Sequence, residues 1–300
     1  MIRYISYQNL INNIIFIFTF MLFLLFVSYV QATELRWVGC GVTKKAFMKE
    51  LAKAYEGKTG TKIDIRGGGA KRGICDTAVG VADLGGTCRH RIDNPKEGDA
   101  KLHHVAWDAL VVIVSKDNQI NNISLSQLKE LYAGKLTNWK SLGGEDNEIK
   151  LVARSGKVSG VGIMLRELLF NNINQDYPTA RALPRDSEVI EVIVSKSPLT
   201  IAVSGISSAK RREGLKILKV DGVAPTKENI ISGKYPLYRP LYLVTKGVPK
   251  GETKAFIDFA KGAEGQAIIS SQGTVCLEEG KNLLKMFNNK YKGKYIELED

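Results

Sequence analysis

The sequence predicts an α/β protein whose sheets are mostly parallel and flanked by helices. Short apolar segments alternate with stretches of helical periodicity, glycine-containing turns join the two, and no internal repeat or low-complexity run points to a solenoid. The segment "ELRWVGCGV" reads as a strand entering a glycine turn, and "TKKAFMKELAKAYEGKTG" as a helix, with Ala46, Phe47, Leu51, Ala54 and Tyr55 near helical spacing and Gly57 or Gly60 ending it. "TKIDIRGGGA" is the next strand and turn, "RGICDTAVG" a short helix and "VADLGG" a third strand end. This βαβαβ order implies ligand loops at the carboxyl ends of parallel strands.

From "WDALVVIVSK" a strand leaves the first unit. "SLSQLKELYAG" is a helix capped by Ser124 or Ser126 and ending near Gly134, followed by a Trp-containing loop. "EIKLVAR" delivers Arg154 to the loop "SGKVSGVG", and "VGIMLRELLFN" is the helix after it. "SPLTIAVSGISS" reads as a buried strand, "YPLYRPLYLVTKG" as a returning strand and "KAFIDFAKGAEGQAIISSQGTV" as one C-terminal helix.

Residues 1–32 carry one charge, Arg3, then the apolar run "IIFIFTFMLFLLFV" and a small-residue pattern at Val30 and Ala32. That is a secretory signal peptide with cleavage near Ala32 and a periplasmic destination, because the run is shorter than the roughly 20 residues of a spanning helix. The remaining length favours two domains. The whole chain carries net charge +12, and removing Arg3 leaves 12 − 1 = +11, which suits an anionic partner. No basic-aromatic module accompanies the charge, so nucleic acid is excluded as a partner.

Cys40, Cys75, Cys88 and Cys276 are an even set in a chain sent to an oxidising compartment. They include no CxxC or CxxCH, which removes zinc ribbons, thioredoxin-type centres and c-type haem; no metal or cofactor is expected.

Three strand-to-helix loops carry the chemistry: "GCGVT" (39–43), "GGGAKRG" (67–73) and "RSGKVSGVG" (154–162). Glycine lets backbone N–H groups approach a ligand, and a helix N-terminus adds unpaired donors and a positive dipole end. The third loop is the most telling: Arg154 ends a strand and Ser159-Gly160 opens a helix, so a guanidinium fork, a hydroxyl and successive N–H groups converge as a tetrahedral anion requires. No Ser-His-Asp order or paired acids accompany these loops, so no enzymatic activity is expected.

The segments "RGGGAKRGICDTAVGVADLGG", "ISLSQLKELYAGKLTNWKSLGG", "RSGKVSG", "VDGVAPTKENIISGKYPLYRPLYLVTKG" and "FIDFAKGAEGQAIISSQGTV" together resemble the periplasmic phosphate-binding proteins of phosphate ABC transporters. The resemblance implies the two-lobed type II periplasmic binding-protein fold, with one lobe from 33–112 plus 238–300 and the other from 113–237. It implies a monomer that closes on phosphate or arsenate and delivers it to a membrane ABC permease. The alternative it leaves open is an oxyanion or arsenic sensor acting through a membrane sensor kinase.

Carried over to this sequence, Arg154 matches the family's anion-binding arginine, and Ser159 and Gly160 the Ser-Gly after it. Val161 replaces a usual threonine, keeping the N–H and losing the hydroxyl. In the first lobe, Cys40, Gly41 and Val42 stand where serine or threonine hydroxyls are usual. Ala70 and Lys71 replace a Ser-Gly pair, with Arg72 close behind, and Cys88 follows Thr87 where members carry aspartate or serine. The implied fold makes Cys40 and Cys88 neighbours. They are either a disulfide, with Cys75–Cys276 as a second bond, or a free thiol pair suited to trivalent arsenic or a thiophilic metal; the compartment favours the disulfide.

Overall fold

Alternate residues of strand β1 (Glu34–Gly39) are buried up to Trp37, and everything beyond it is buried, so the chain enters the core at the strand's carboxyl end. The structure, a computed structural model, describes residues 34–154, 157–181 and 187–291. The expected signal segment, 1–32, lies outside them. Among the described residues no helix is long and apolar enough to cross a membrane.

Beyond β1 the chain turns into helix α1, which runs from Gly41–Thr43 through a π-helical segment, Lys44–Met48, to Lys49–Thr59. Gly60, at φ 76°, supplies the left-handed residue that ends it. Strand β2 (Lys62–Gly67), helix α2 (Gly69–Ala78) and strand β3 (Leu84–Thr87) complete the expected βαβαβ unit, with β2 and β3 both parallel to β1.

Strand β4 (Ala100–Ser115) is the spine of the sheet. Its first part pairs antiparallel with β10 (Tyr238–Lys246), which itself pairs antiparallel with β3. Its last part pairs with β7 (Thr200–Gly205) and β8 (Leu215–Ile217), both antiparallel. Strand β6 (Lys150–Val152) lies parallel to β7, giving the order β2-β1-β3-β10-β4-β7-β6, while β5 (Asn122–Ile123) and β9 (Lys219–Val220) form a separate parallel pair. Parallel pairing thus occupies the two outer ends, and the centre is antiparallel where the long strands pass.

Two large apolar clusters flank this arrangement. One gathers Trp37, Phe47, Leu84, Val105, Leu241 and Phe256; the other gathers Val111, Ile113, Leu128, Leu151, Met164 and Ile201. Helix α3 (Leu125–Tyr132) starts with a capping box between Ser124 and Gln127, which settles the choice of cap in favour of Ser124. Helix α4 (Gly160–Phe170) is buried from Gly160 to Leu169, as its almost continuous apolar run requires. Helices α5 (Ser187–Ser195), α6 (Ile206–Ala209) and α7 (Lys227–Ile231) complete the middle of the chain.

The expected single C-terminal helix is two: α8 (Gly251–Lys261) and α9 (Ala263–Ser271) break at Gly262, whose ψ of 168° leaves the helical region. The amide of Gly262 closes α8 by donating to Asp258 O at 2.8 Å. Helix α10 (Lys281–Tyr291) places Leu283 and Phe287 in the second cluster, with the Phe287 ring 5.7 Å from that of Trp107.

Candidate functional site

Three helices begin at one small cavity of about 20 Å³, which a residue of a fourth also lines. Helix α1 presents Cys40, Gly41 and Val42; α2 presents Gly69 and Ala70; α4 presents Gly160 and Val161; α5 presents Ser187; and Arg154 comes from the loop after β6. Helix N-termini carry unpaired N–H donors and the positive ends of their dipoles, so their convergence with a guanidinium makes a strongly electropositive pocket. Each start has a local cause. Gly69, at φ 80°, makes a turn that a side chain would strain, and Cys40 caps α1 by accepting from Thr43 N at 3.5 Å.

The sequence expectations for Cys40, Gly41, Val42, Ala70, Cys88, Arg154, Gly160 and Val161 therefore coincide with the cavity wall. Ser159 is set just behind it as the N-cap of α4, its Oγ accepting from Gly162 N at 3.0 Å. Arg72 and Thr87 do not reach the cavity. Helix α2 begins at Gly69, before the expected start, so Arg72 is carried onto its exposed side, where Nε donates to Asp76 Oδ2 at 2.9 Å. Thr87 is fully buried, and its hydroxyl donates to Arg89 O at 3.2 Å.

The glycines of "ADLGGTCRHR" serve packing. A β-carbon on Gly86 would overlap the Trp37 ring, and one on Gly85 would overlap Gly73 O of α2. Nor do the arginines of that loop hold an anion. Arg89 is fully buried, forks onto both oxygens of Glu97 at 3.0 and 2.6 Å, and donates through Nε to Val158 O at 3.1 Å, tying this loop to the approach to α4. Arg91 donates to Gly98 O and Ala100 O. A second tie crosses the cavity's rim, where Lys45 of α1 meets Glu188 of α5 at 2.8 Å; its hydrogen bond holds the Glu188 carboxyl below the usual range.

The two disulfides expected from the cysteine count are not present: all four cysteines are free thiols. Cys75 lies 4.0 Å from Glu97 Oε1, whereas Cys276 packs in the first apolar cluster with Phe47 and Phe256, so the second pair is separated by packing. Cys40 and Cys88 are neighbours on the cavity wall, as expected, but both are free thiols. Burial pushes the Cys40 thiol up, yet hydrogen bonds from Cys88 and Thr43, with the Arg239 charge, outweigh it and bring the value down to about 6. Cys88, which donates to Cys40 and is buried, is pushed well up.

Sequence reasoning missed the support beneath the thiols. Arg239 of β10 donates from Nη2 to Asp108 Oδ2 of β4 at 3.1 Å and lies 3.5 Å from Cys88 O, and the Ser207 hydroxyl donates to Asp108 Oδ1 at 2.7 Å. The available signal was an aspartate and an arginine set among apolar neighbours, Ala106-Trp107-Asp108-Ala109-Leu110 and Tyr238-Arg239-Pro240-Leu241. Gly69 and Ser187 were also missed at the wall. Among the described residues no group of three or more His, Cys, Asp or Glu side chains gathers to hold a metal.

Comparison with known proteins matches residues 33–264 to a model described as the PBP superfamily domain. A curated relative, the phosphate-binding protein PstS of Borreliella burgdorferi, is 32% identical over 248 residues, covering 79% of this chain and 88% of its own. Among solved structures, a phosphate ABC transporter substrate-binding protein from Clostridium perfringens with bound phosphate superposes with a TM-score of 0.71 at 27% identity, covering 81% of this chain and 99% of its own. An ABC-type phosphate transport receptor from Vibrio cholerae gives a TM-score of 0.63 at 25% identity, covering 81% and 100%. With the family model spanning most of the chain and a PstS relative matching along most of its length, the chain belongs to the PBP superfamily, in the family of the phosphate-binding proteins.

Proposed function

We propose that this chain is an exported solute-binding protein that captures inorganic phosphate between two lobes and delivers it to a membrane ABC transporter. The convergence of three helix N-termini and Arg154 on one cavity carries the reading. A dehydrated tetrahedral anion needs donors on every side, and N–H groups from both walls together with a guanidinium fork supply them. The phosphate-bound relative supports the choice of anion. Residues 1–32 supply the export signal, and the role is capture, with no turnover.

Capture works by differential contact. Only the closed arrangement brings the starts of α1 and α2 against the start of α4 and Ser187 of α5, so an anion touching both walls selects it. The Arg89–Val158 hydrogen bond and the Lys45–Glu188 pair hold the same arrangement. Among the described residues lining the cavity none is a carboxylate, so none of those side chains is a strong acceptor for the proton that distinguishes phosphate from sulfate. Arsenate, with the same shape and protonation as phosphate, should bind as well as phosphate does.

Titration calorimetry of the purified chain with phosphate should show one site per molecule, and a flat titration would sink the reading. Gly160 offers a second test, because a β-carbon there would overlap Cys88 Sγ and press on Ala70. Gly160→Ala should prop the walls apart and cost about 1–3 kcal/mol of affinity, roughly 5- to 150-fold. Unchanged affinity in that variant would mean that the walls need not meet for capture.

A further inference from the structure

Anion capture by N–H groups and Arg154 leaves two nucleophilic side chains of the cavity unused. Cys40 and Cys88 are free, 6% and 1% exposed, and both line the cavity. They occupy the carboxyl ends of adjacent parallel strands, since Gly39 pairs with Gly86 and the Cys40 amide donates to Gly86 O at 3.1 Å. Each sulfur has an electropositive neighbour. Cys40 accepts from the Thr43 amide at the start of α1, and the start of α4 abuts Cys88 closely enough that Gly160 has no room for a β-carbon. The Arg239 charge works toward thiolate at both sulfurs, and only Cys40 comes out below its ordinary value.

Two soft donors side by side, facing a cradle built for oxygen, suit a ligand that is both thiophilic and an oxyacid. A tetrahedral divalent metal lacks ligands here, because among the described residues no third His, Cys, Asp or Glu joins the pair. We propose that Cys40 and Cys88 form a dithiol site for a trivalent arsenic oxyacid, bound covalently through both sulfurs with its remaining oxygen held in the N–H cradle.

The step is a double condensation on As(OH)3. Two S–H and two As–OH bonds break, two S–As bonds form, and two water molecules leave. Arsenic stays trivalent and keeps one hydroxyl, so no oxidant or reductant is consumed. Thiolate is the attacking form, which the surroundings of Cys40 favour, and the departing hydroxide takes up a proton to leave as water. The retained As–OH oxygen then faces the starts of α1, α2 and α4, and Arg154.

The site shares its cavity with the anion, so the inference rests on the same pocket as the phosphate reading. The two nevertheless fail separately. The full chain, kept reduced with a phosphine, is titrated with arsenite and examined by native mass spectrometry and arsenic X-ray absorption. One arsenic per chain is expected, with a mass gain of AsOH less two hydrogens and a first shell of two sulfurs and one oxygen. Cys40→Ser and Cys88→Ser should each weaken arsenite binding by roughly 100-fold, the loss of a chelate link, while Cys75→Ser and Cys276→Ser leave it unchanged. Saturating arsenite should displace phosphate. The absorption spectrum needs no variant, so a folding defect in a serine variant leaves the test intact. An oxygen-only arsenic shell, or uptake that survives loss of both Cys40 and Cys88, would overturn the proposal. Phosphate binding without arsenite uptake keeps the transport reading and sinks this one; arsenite uptake without phosphate binding does the reverse.

Discussion

Asp108→Ala should lower the unfolding free energy by about 3–5 kcal/mol, the largest effect expected of any single change near the cavity. Asp108 and Arg239 are both fully buried at the side chain and joined at 3.1 Å. Removing the carboxylate strands a guanidinium that cannot deprotonate and has no route to water. The Ser207 hydroxyl and amide also lose their acceptor. A shift of the denaturant midpoint at unchanged slope is the readout. The double variant Asp108→Ala, Arg239→Leu should regain most of the loss, because an apolar replacement of a whole buried pair is often neutral. A single variant as stable as the parent would show that Arg239 finds another partner, and the account of the pair would be wrong.

Arg154→Ala should cost about 2–5 kcal/mol of phosphate affinity, roughly 30- to 5,000-fold, with the fold retained. Among the described residues Arg154 is the one basic side chain that lines the cavity, so there the anion's charge rests on it and on the helix N-termini. Arg154→Lys should fall between parent and alanine, keeping the charge and losing the planar fork. Calorimetry on the three proteins orders them. Equal affinity in all three would transfer the anion's recognition wholly to the backbone donors.

Much of this was legible in the sequence because the loops obey local rules. Arg154, Gly160 and Val161 follow a strand and open a helix, and the spacing of such residues needs no tertiary knowledge. The misplacements arose where a position depends on neighbours distant in sequence. Arg72 looked like a loop residue, but the helix starts at Gly69, nearly one turn earlier, and turns it toward Asp76. Thr87 carries a hydroxyl suited to an anion, but the bend at Arg89 claims it. Asp108 and Arg239 are 131 residues apart, each with apolar neighbours in its strand, and only the β4–β10 register, which pairs Arg239 directly with Asp108, brings them together. Cysteine parity suggested bonds that packing does not make, since Cys75 and Cys276 belong to different surroundings.

The place of β10 in the sheet also fixes the order in which the chain can fold. Strands β4, β6, β7 and β8 are all present once residue 217 has been synthesised, so their part of the sheet can assemble while the C-terminal segment is still emerging. The part that holds β1, β2 and β3 joins β4 only through β10, which ends at Lys246. Nascent chains usually consolidate from the N-terminus, but here the N-terminal strands wait for a partner more than 150 residues downstream, at a large cost in loop closure. Both Cys40 and Cys88 lie in the late-forming part, so the anion pocket is the last piece of the molecule to be completed.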